Sequence, residues 1–75
     1  MENKIKNLVA KILNVDESQL TNESSPNTIE NWDSLKQMEI IVSIEEEFNI
    51  EFDDDDVLNI KNIDSIINIL SSKIG

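Results

Sequence analysis

Asp33-Ser34-Leu35-Lys36-Gln37-Met38-Glu39-Ile40-Ile41-Val42-Ser43-Ile44-Glu45-Glu46-Glu47-Phe48 is the stretch from which the fold can be read. Asp33 and Ser34 both suit a helix start, because a short oxygen-bearing side chain can accept a bond from a backbone N–H of the first turn. The spacing that follows predicts a helix from about Ser34 to Phe48. At about 100° per residue, Ile40, Ile41, Ile44 and Phe48 gather on one arc, which is the core face. Leu35, Met38 and Val42 lie on a different arc, at i, i+3 and i+7. Glu39 and Glu46 border this second arc, and Glu45 projects between the two. A helix packed on one side of a bundle needs only one apolar stripe. Either this helix is central and buried nearly all round, or its second stripe is a docking surface for a basic, partly apolar patch on another protein. The glutamates favour docking, since an unpaired buried carboxylate is expensive and the chain has only 6 basic residues to offer as partners.

Upstream, Ile5, Leu8, Val9, Ile12 and Leu13 fall at spacings of three and four and predict a first helix over about residues 3–14. A polar stretch from Asp16 to Asp33 follows, with Pro26 inside it. It is long for a connection in so small a chain. Val15, Leu20, Ile29 and Trp32 punctuate it, so it is expected to be pinned to the core. Downstream, Asn49-Ile50-Glu51 breaks the helical pattern. Asp53 to Asp56 then place negative charge in the first turn of a short helix, where the helix dipole favours it. Val57, Leu58 and Ile60 are expected to give that helix its apolar contacts. A last helix is expected from near Asn62 to about Lys73, with Ile63, Ile66, Ile67, Leu70 and Ile74 on one face and Ile69 flanking it. With one glycine and no alternating strand pattern, the fold class is all-α. The architecture is a small bundle of three main helices plus one short helix, with a long loop between helices 1 and 2. Residues 1–75 read as a single domain without repeats or a linker.

Composition limits the chemistry. The 75 residues are near the lower edge of what one core can stabilise. Cysteine is absent, which removes disulfides and thiolate metal sites. Histidine is absent too, and with it the commonest catalytic base and metal ligand. Carboxylates, hydroxyls and lysines are a poor catalytic set, so no enzyme is expected. The 16 acidic residues against 6 basic ones give a formal charge of −10. Such a surface repels nucleic acid and anionic membranes and attracts proteins with basic patches. No apolar run approaches the roughly 20 residues of a membrane span. The N-terminal segment reads as a helix instead of an export signal, which leads to the expectation of a monomeric cytoplasmic protein. The Asp53–Asp56 run lacks the alternate oxygen ligands, central glycine and terminal glutamate of a calcium loop, so no metal site is expected.

Ser34 is the candidate for chemistry. A phosphate ester there would sit at the positive end of the helix, where backbone N–H groups can approach it. Its plainer reading is an ordinary helix cap, a role Asp33 could equally fill. A nucleophilic role is not expected, because no histidine exists to activate the hydroxyl and nothing in the sequence sets a lysine beside it with a lowered pKa. Any chemistry at Ser34 is therefore modification by another enzyme.

The stretch Asp33-Ser34-Leu35 resembles the D-S-L motif of the acyl and peptidyl carrier protein family. The likeness extends along the chain. Leu13-Asn14-Val15 and Leu20-Thr21-Asn22-Glu23 are similar to the end of the family's first helix and its long loop. Met38-Glu39-Ile40 and Ile44 to Ile50 resemble its second helix and exit, and Ile60 to Ile67 the approach to its last helix. The resemblance implies that Ser34 carries 4′-phosphopantetheine taken from coenzyme A, with Asp33 and Leu35 as its motif neighbours. It implies that Leu35, Met38 and Val42 make apolar contacts with partners and that Glu39, Glu45 and Glu46 make acidic ones. Those partners would be a phosphopantetheinyl transferase and the enzymes that load, extend or unload acyl or aminoacyl thioesters on the arm's own thiol. The pathway would be fatty acid, polyketide or related specialised biosynthesis. One departure bears on it: fatty-acid carriers usually have a glycine-containing run before D-S-L, where this chain has Glu30-Asn31-Trp32. A tryptophan there looks more like stand-alone carriers of specialised pathways. The alternative to a carrier is an acidic helical interaction module that never bears a covalent arm.

Overall fold

The computed structural model describes residues 2–74. Four α-helices, α1 (Glu2–Leu13), α2 (Ser34–Phe48), α3 (Asp54–Asn59) and α4 (Ile63–Ile74), are joined by loops, with no strand among the described residues. The expected bundle of three main helices and a short one is what forms. A 3₁₀ turn at Glu17–Gln19, which the polar stretch did not announce, interrupts the long loop. It is closed by the Gln19 N–H donating to Asp16 O at 2.9 Å. The Asp16 N–H in turn donates to Gln19 Oε1 at 3.3 Å.

The core forms where three helical stripes meet. Ile5, Val9 and Leu13 of α1, Ile40 and Ile44 of α2, and Ile63, Ile66 and Leu70 of α4 are sealed from solvent, and Leu20 and Trp32 of the loop close the cluster. Each such aliphatic side chain contributes about 1.5–3 kcal/mol when removed from water. The α4 stripe ends sooner than expected: Ile74 is exposed.

The long loop is pinned by polar bonds as well as apolar ones. Backbone N–H groups in the first turn of a helix have no partner within it. Here the loop supplies two: Ile63 N–H donates to Ser24 O at 3.0 Å and Asp64 N–H to Asn22 O at 2.8 Å. At the other end of the loop, the Asn31 side-chain amide donates to Leu13 O, a terminal carbonyl of α1, at 3.2 Å. The loop thus caps two helices.

Asn14 and Asn49 end α1 and α2 in left-handed backbone, at φ 57° and 55°. Asparagine is among the few residues besides glycine that enter this region readily. The chain then turns back so that Val15 N–H reaches Ala10 O at 3.0 Å and Ile50 N–H reaches Glu45 O at 3.1 Å.

Helix α3 is different in kind, because none of its residues is buried. Leu58, expected among its apolar contacts, is instead exposed; a six-residue helix has room for few inward positions. Polar bonds define it. Asp56 N–H donates to Asp53 Oδ1 at 2.8 Å, and Asp53 N–H donates to Asp56 Oδ2 at 3.1 Å. Lys73 Nζ, near the end of α4, meets the same Asp56 Oδ2 at 2.6 Å.

Candidate functional site

The two candidate caps of α2 divide their roles. Asp33 Oδ1 accepts from Lys36 N–H at 2.9 Å, so Asp33 is the cap. Ser34 becomes the first helical residue, exposed and with no capping role. Just before them, Trp32 is only 2% exposed. Its indole Nε1–H donates to Gln37 Oε1 at 2.6 Å. Trp32 N–H also donates to Ile29 O at 3.1 Å, and Asp33 N–H to Asn31 O at 3.1 Å. The backbone entering α2 is therefore held on both sides of the motif. Pro26, Trp32, Asp33, Ser34 and Gln37 line a recess of about 440 Å³.

The second apolar stripe of α2 faces outward. Leu35 is 68% exposed, Met38 53% and Val42 45%, which rules out the reading in which α2 is buried all round. Together with Glu39, Ser43 and Ile12 from α1, they line an open groove of about 390 Å³. The spacing of α1 assigns Ile12 to the core stripe alone. It lies at that stripe's edge, and its half-buried side chain also serves the groove.

The three glutamates of the predicted docking face do not stand alike. Glu39 is exposed and within 3.5 Å of Lys36 Nζ, a surface pair worth little by itself. Glu46 is exposed. Glu45 is half-buried, and its Oε2 accepts from Phe52 N–H at 2.8 Å. One of its oxygens is therefore committed to holding the α2–α3 connection. Glu45, Glu46 and Val42 share a second hollow with Asn49, Ile50, Glu51 and Phe52. Val42 lines both hollows, so the structure gathers Leu35, Met38, Glu39 and Val42 on one groove and sets Glu45 and Glu46 around its end.

Among the described residues no three carboxylates converge to hold a metal ion, the Asp53–Asp56 run included. No described helix is long and apolar enough to cross a membrane.

Comparison with known proteins bears on this arrangement. The family model described as a phosphopantetheine attachment site matches residues 3–70. The acyl carrier protein of Buchnera aphidicola subsp. Baizongia pistaciae (strain Bp) is 41% identical over 70 residues, covering 93% of this chain and 90% of that one. The acyl carrier protein of Guillardia theta is 34% identical over 72 residues, covering 96% and 89%. Among solved structures, the holo acyl carrier protein of Geobacter metallireducens matches with a TM-score of 0.87 at 29% identity, over 97% of this chain and 84% of that one. The holo acyl carrier protein of Nitrosomonas europaea shares the fold with a TM-score of 0.83 at 23% identity, over 97% and 94%. A family match along most of the sequence, relatives that align with nearly all of it, and a bundle of the same form place this chain in the acyl carrier protein family, whose members bear 4′-phosphopantetheine and carry groups instead of catalysing their reactions.

Proposed function

We propose that this chain carries acyl or aminoacyl groups on a 4′-phosphopantetheine arm esterified to Ser34, and presents them to enzymes across the outer face of α2. The observation that carries this reading is the division of roles at the helix start. Asp33 takes the cap, and Ser34 stands exposed, next along the helix to Leu35 of the apolar groove. The residues fit such a group: an accessible primary hydroxyl, a helix start that favours a phosphodiester anion, and a recess alongside. The bound arm supplies a thiol on which cargo is held as a thioester.

The rest is the protein's own work. Asp33 and the Trp32–Gln37 bond hold the backbone at Ser34 in one place for a phosphopantetheinyl transferase. Leu35, Met38 and Val42 offer apolar surface to that enzyme and to the loading and transferring enzymes. Glu39 and Glu46 offer charge to basic patches on them, and Glu45 contributes field while bracing the α2–α3 connection. The buried Trp32, where fatty-acid carriers have a glycine-containing run, favours a specialised biosynthetic pathway. Residues 1–75 act as one monomeric carrier domain in the cytoplasm.

The test is intact mass after incubation with coenzyme A and a promiscuous transferase, alongside Ser34→Ala. The expected result is a gain of one phosphopantetheine that the variant lacks. A folded protein that gains nothing would overturn the reading and leave an acidic module that binds partners without an arm.

A further inference from the structure

The recess beside Ser34 has a feature that the attachment chemistry does not use. An indole N–H can only donate, whereas a carboxamide has one accepting end and one donating end. The bond from Trp32 Nε1 to Gln37 Oε1 at 2.6 Å therefore fixes which way the Gln37 amide is turned. Its Nε2 becomes the end available for a ligand. Ser34 and Gln37 are three residues apart and so lie on one side of α2, and both line the recess. Pro26 and the edge of Trp32 add apolar surface there. At about 440 Å³ the recess is in the size range that takes small organic groups.

We infer that this recess is the resting place of the prosthetic arm, and that Gln37, held by Trp32, is a positioning residue that donates a hydrogen bond to an acceptor oxygen of the arm. The inference rests on attachment at Ser34. The occupant follows from chemistry and tethering. A group fixed to Ser34 begins inside the recess and meets it at high effective concentration. The arm offers phosphodiester and amide oxygens to an N–H donor, and geminal methyls to Pro26 and Trp32. Neither Pro26 nor Gln37 lines the Leu35–Met38–Val42 groove, so an arm resting here leaves the docking face of α2 open to an incoming enzyme.

The experiment uses the full chain, isotope-labelled and loaded by transferase from unlabelled coenzyme A. Mass is read first: absence of a gain is the failure of the attachment reading and is recognised there. On the loaded protein, isotope-filtered nuclear Overhauser spectra are expected to connect the arm's methyl protons to Pro26 and to the Trp32 ring. The Gln37 side-chain N–H signals are expected to move between unloaded and loaded forms. Gln37→Glu keeps an acceptor for the Trp32 indole and, ionised, has no donor for the arm. It is expected to fold, keep the Trp32 indole N–H bonded with its signal shifted by the charged acceptor, and accept the arm, while the arm-to-recess contacts fall about fivefold, the equivalent of one hydrogen bond. A loaded wild-type chain with no contacts between arm and recess overturns the inference. So do contacts that persist undiminished in Gln37→Glu, the result expected if Gln37 merely braces Trp32.

Discussion

Asp33 and Ser34 compete for one task, and the outcome decides what each can do. A carboxylate that accepts from Lys36 N–H releases its neighbour's hydroxyl from structural duty. Both residues were legible as cap candidates, but their assignment depends on the backbone angle at Asp33, which spacing does not convey. The same holds at Asn49. The break in the helical pattern was visible, whereas its cause is a left-handed backbone with φ 55°. Glu45 shows the cost of reading by angle alone. A helical projection sets it between two faces, but the turn at Asn49 brings Phe52 N–H back onto its carboxylate. Replacing Asn49 tests this account. Asn49→Ala is expected to cost about 1–2 kcal/mol in urea denaturation, because a β-carbon opposes left-handed backbone, while Asn49→Gly is expected to be nearly neutral. Equal losses in both variants would show that the side chain of Asn49, and not its backbone angle, matters.

The helices were legible in proportion to the apolar surface they bury. Stripes of three and four residues set α1, α2 and α4 to within a residue or two of their observed ends. Helix α3 has no fully buried residue and only Val57 among its apolar side chains is half-buried, so periodicity has little to report about it and Leu58 faces outward against expectation. Its anchor is ionic. The Asp56 carboxyl is held below its ordinary 3.8, first by the bond from Lys73 and then by the Asp53 N–H, against the opposing effect of desolvation. The Lys73 ammonium is held above its ordinary 10.5, first by its bond to Asp56. A depressed carboxyl makes the clamp's contribution complete above pH 3.8 and lost as pH falls through the lowered value. A raised ammonium makes it complete below pH 10.5 and lost as pH climbs through the raised value. Asp56→Asn is therefore expected to lower the melting temperature across the neutral range. The gap between variant and wild type should close only in strong acid or strong base. A gap that already closes in mildly acidic solution would exclude this clamp as its source.

For the molecule as a whole, the −10 charge and the small core pull against each other. A chain of this length has roughly 4–11 kcal/mol of stability, and repulsion among its acids reduces it. Added salt is expected to raise the melting temperature. It should also lower kcat/KM for a phosphopantetheinyl transferase, because the charge that strains the fold also steers partners to it. Opposite movement of the two readouts is the prediction, and a salt-independent transferase rate would count against charge steering. Composition disclosed this balance at once. It did not disclose how the loop from Asn14 to Asp33 is held, since that depends on bonds between residues far apart, such as Asp64 N–H to Asn22 O. Trp32 is the clearest case: apolar and expected to be pinned, it also carries a polar bond that only the folded chain brings into reach. It is the chain's one tryptophan, and tyrosine is absent. Near-ultraviolet absorption and emission therefore arise almost wholly from a single indole two residues before Ser34. Its light is that of a shielded ring with a bound N–H, so any change at the start of α2 that breaks that bond or lets water reach the ring alters the emission of the whole protein without any added label.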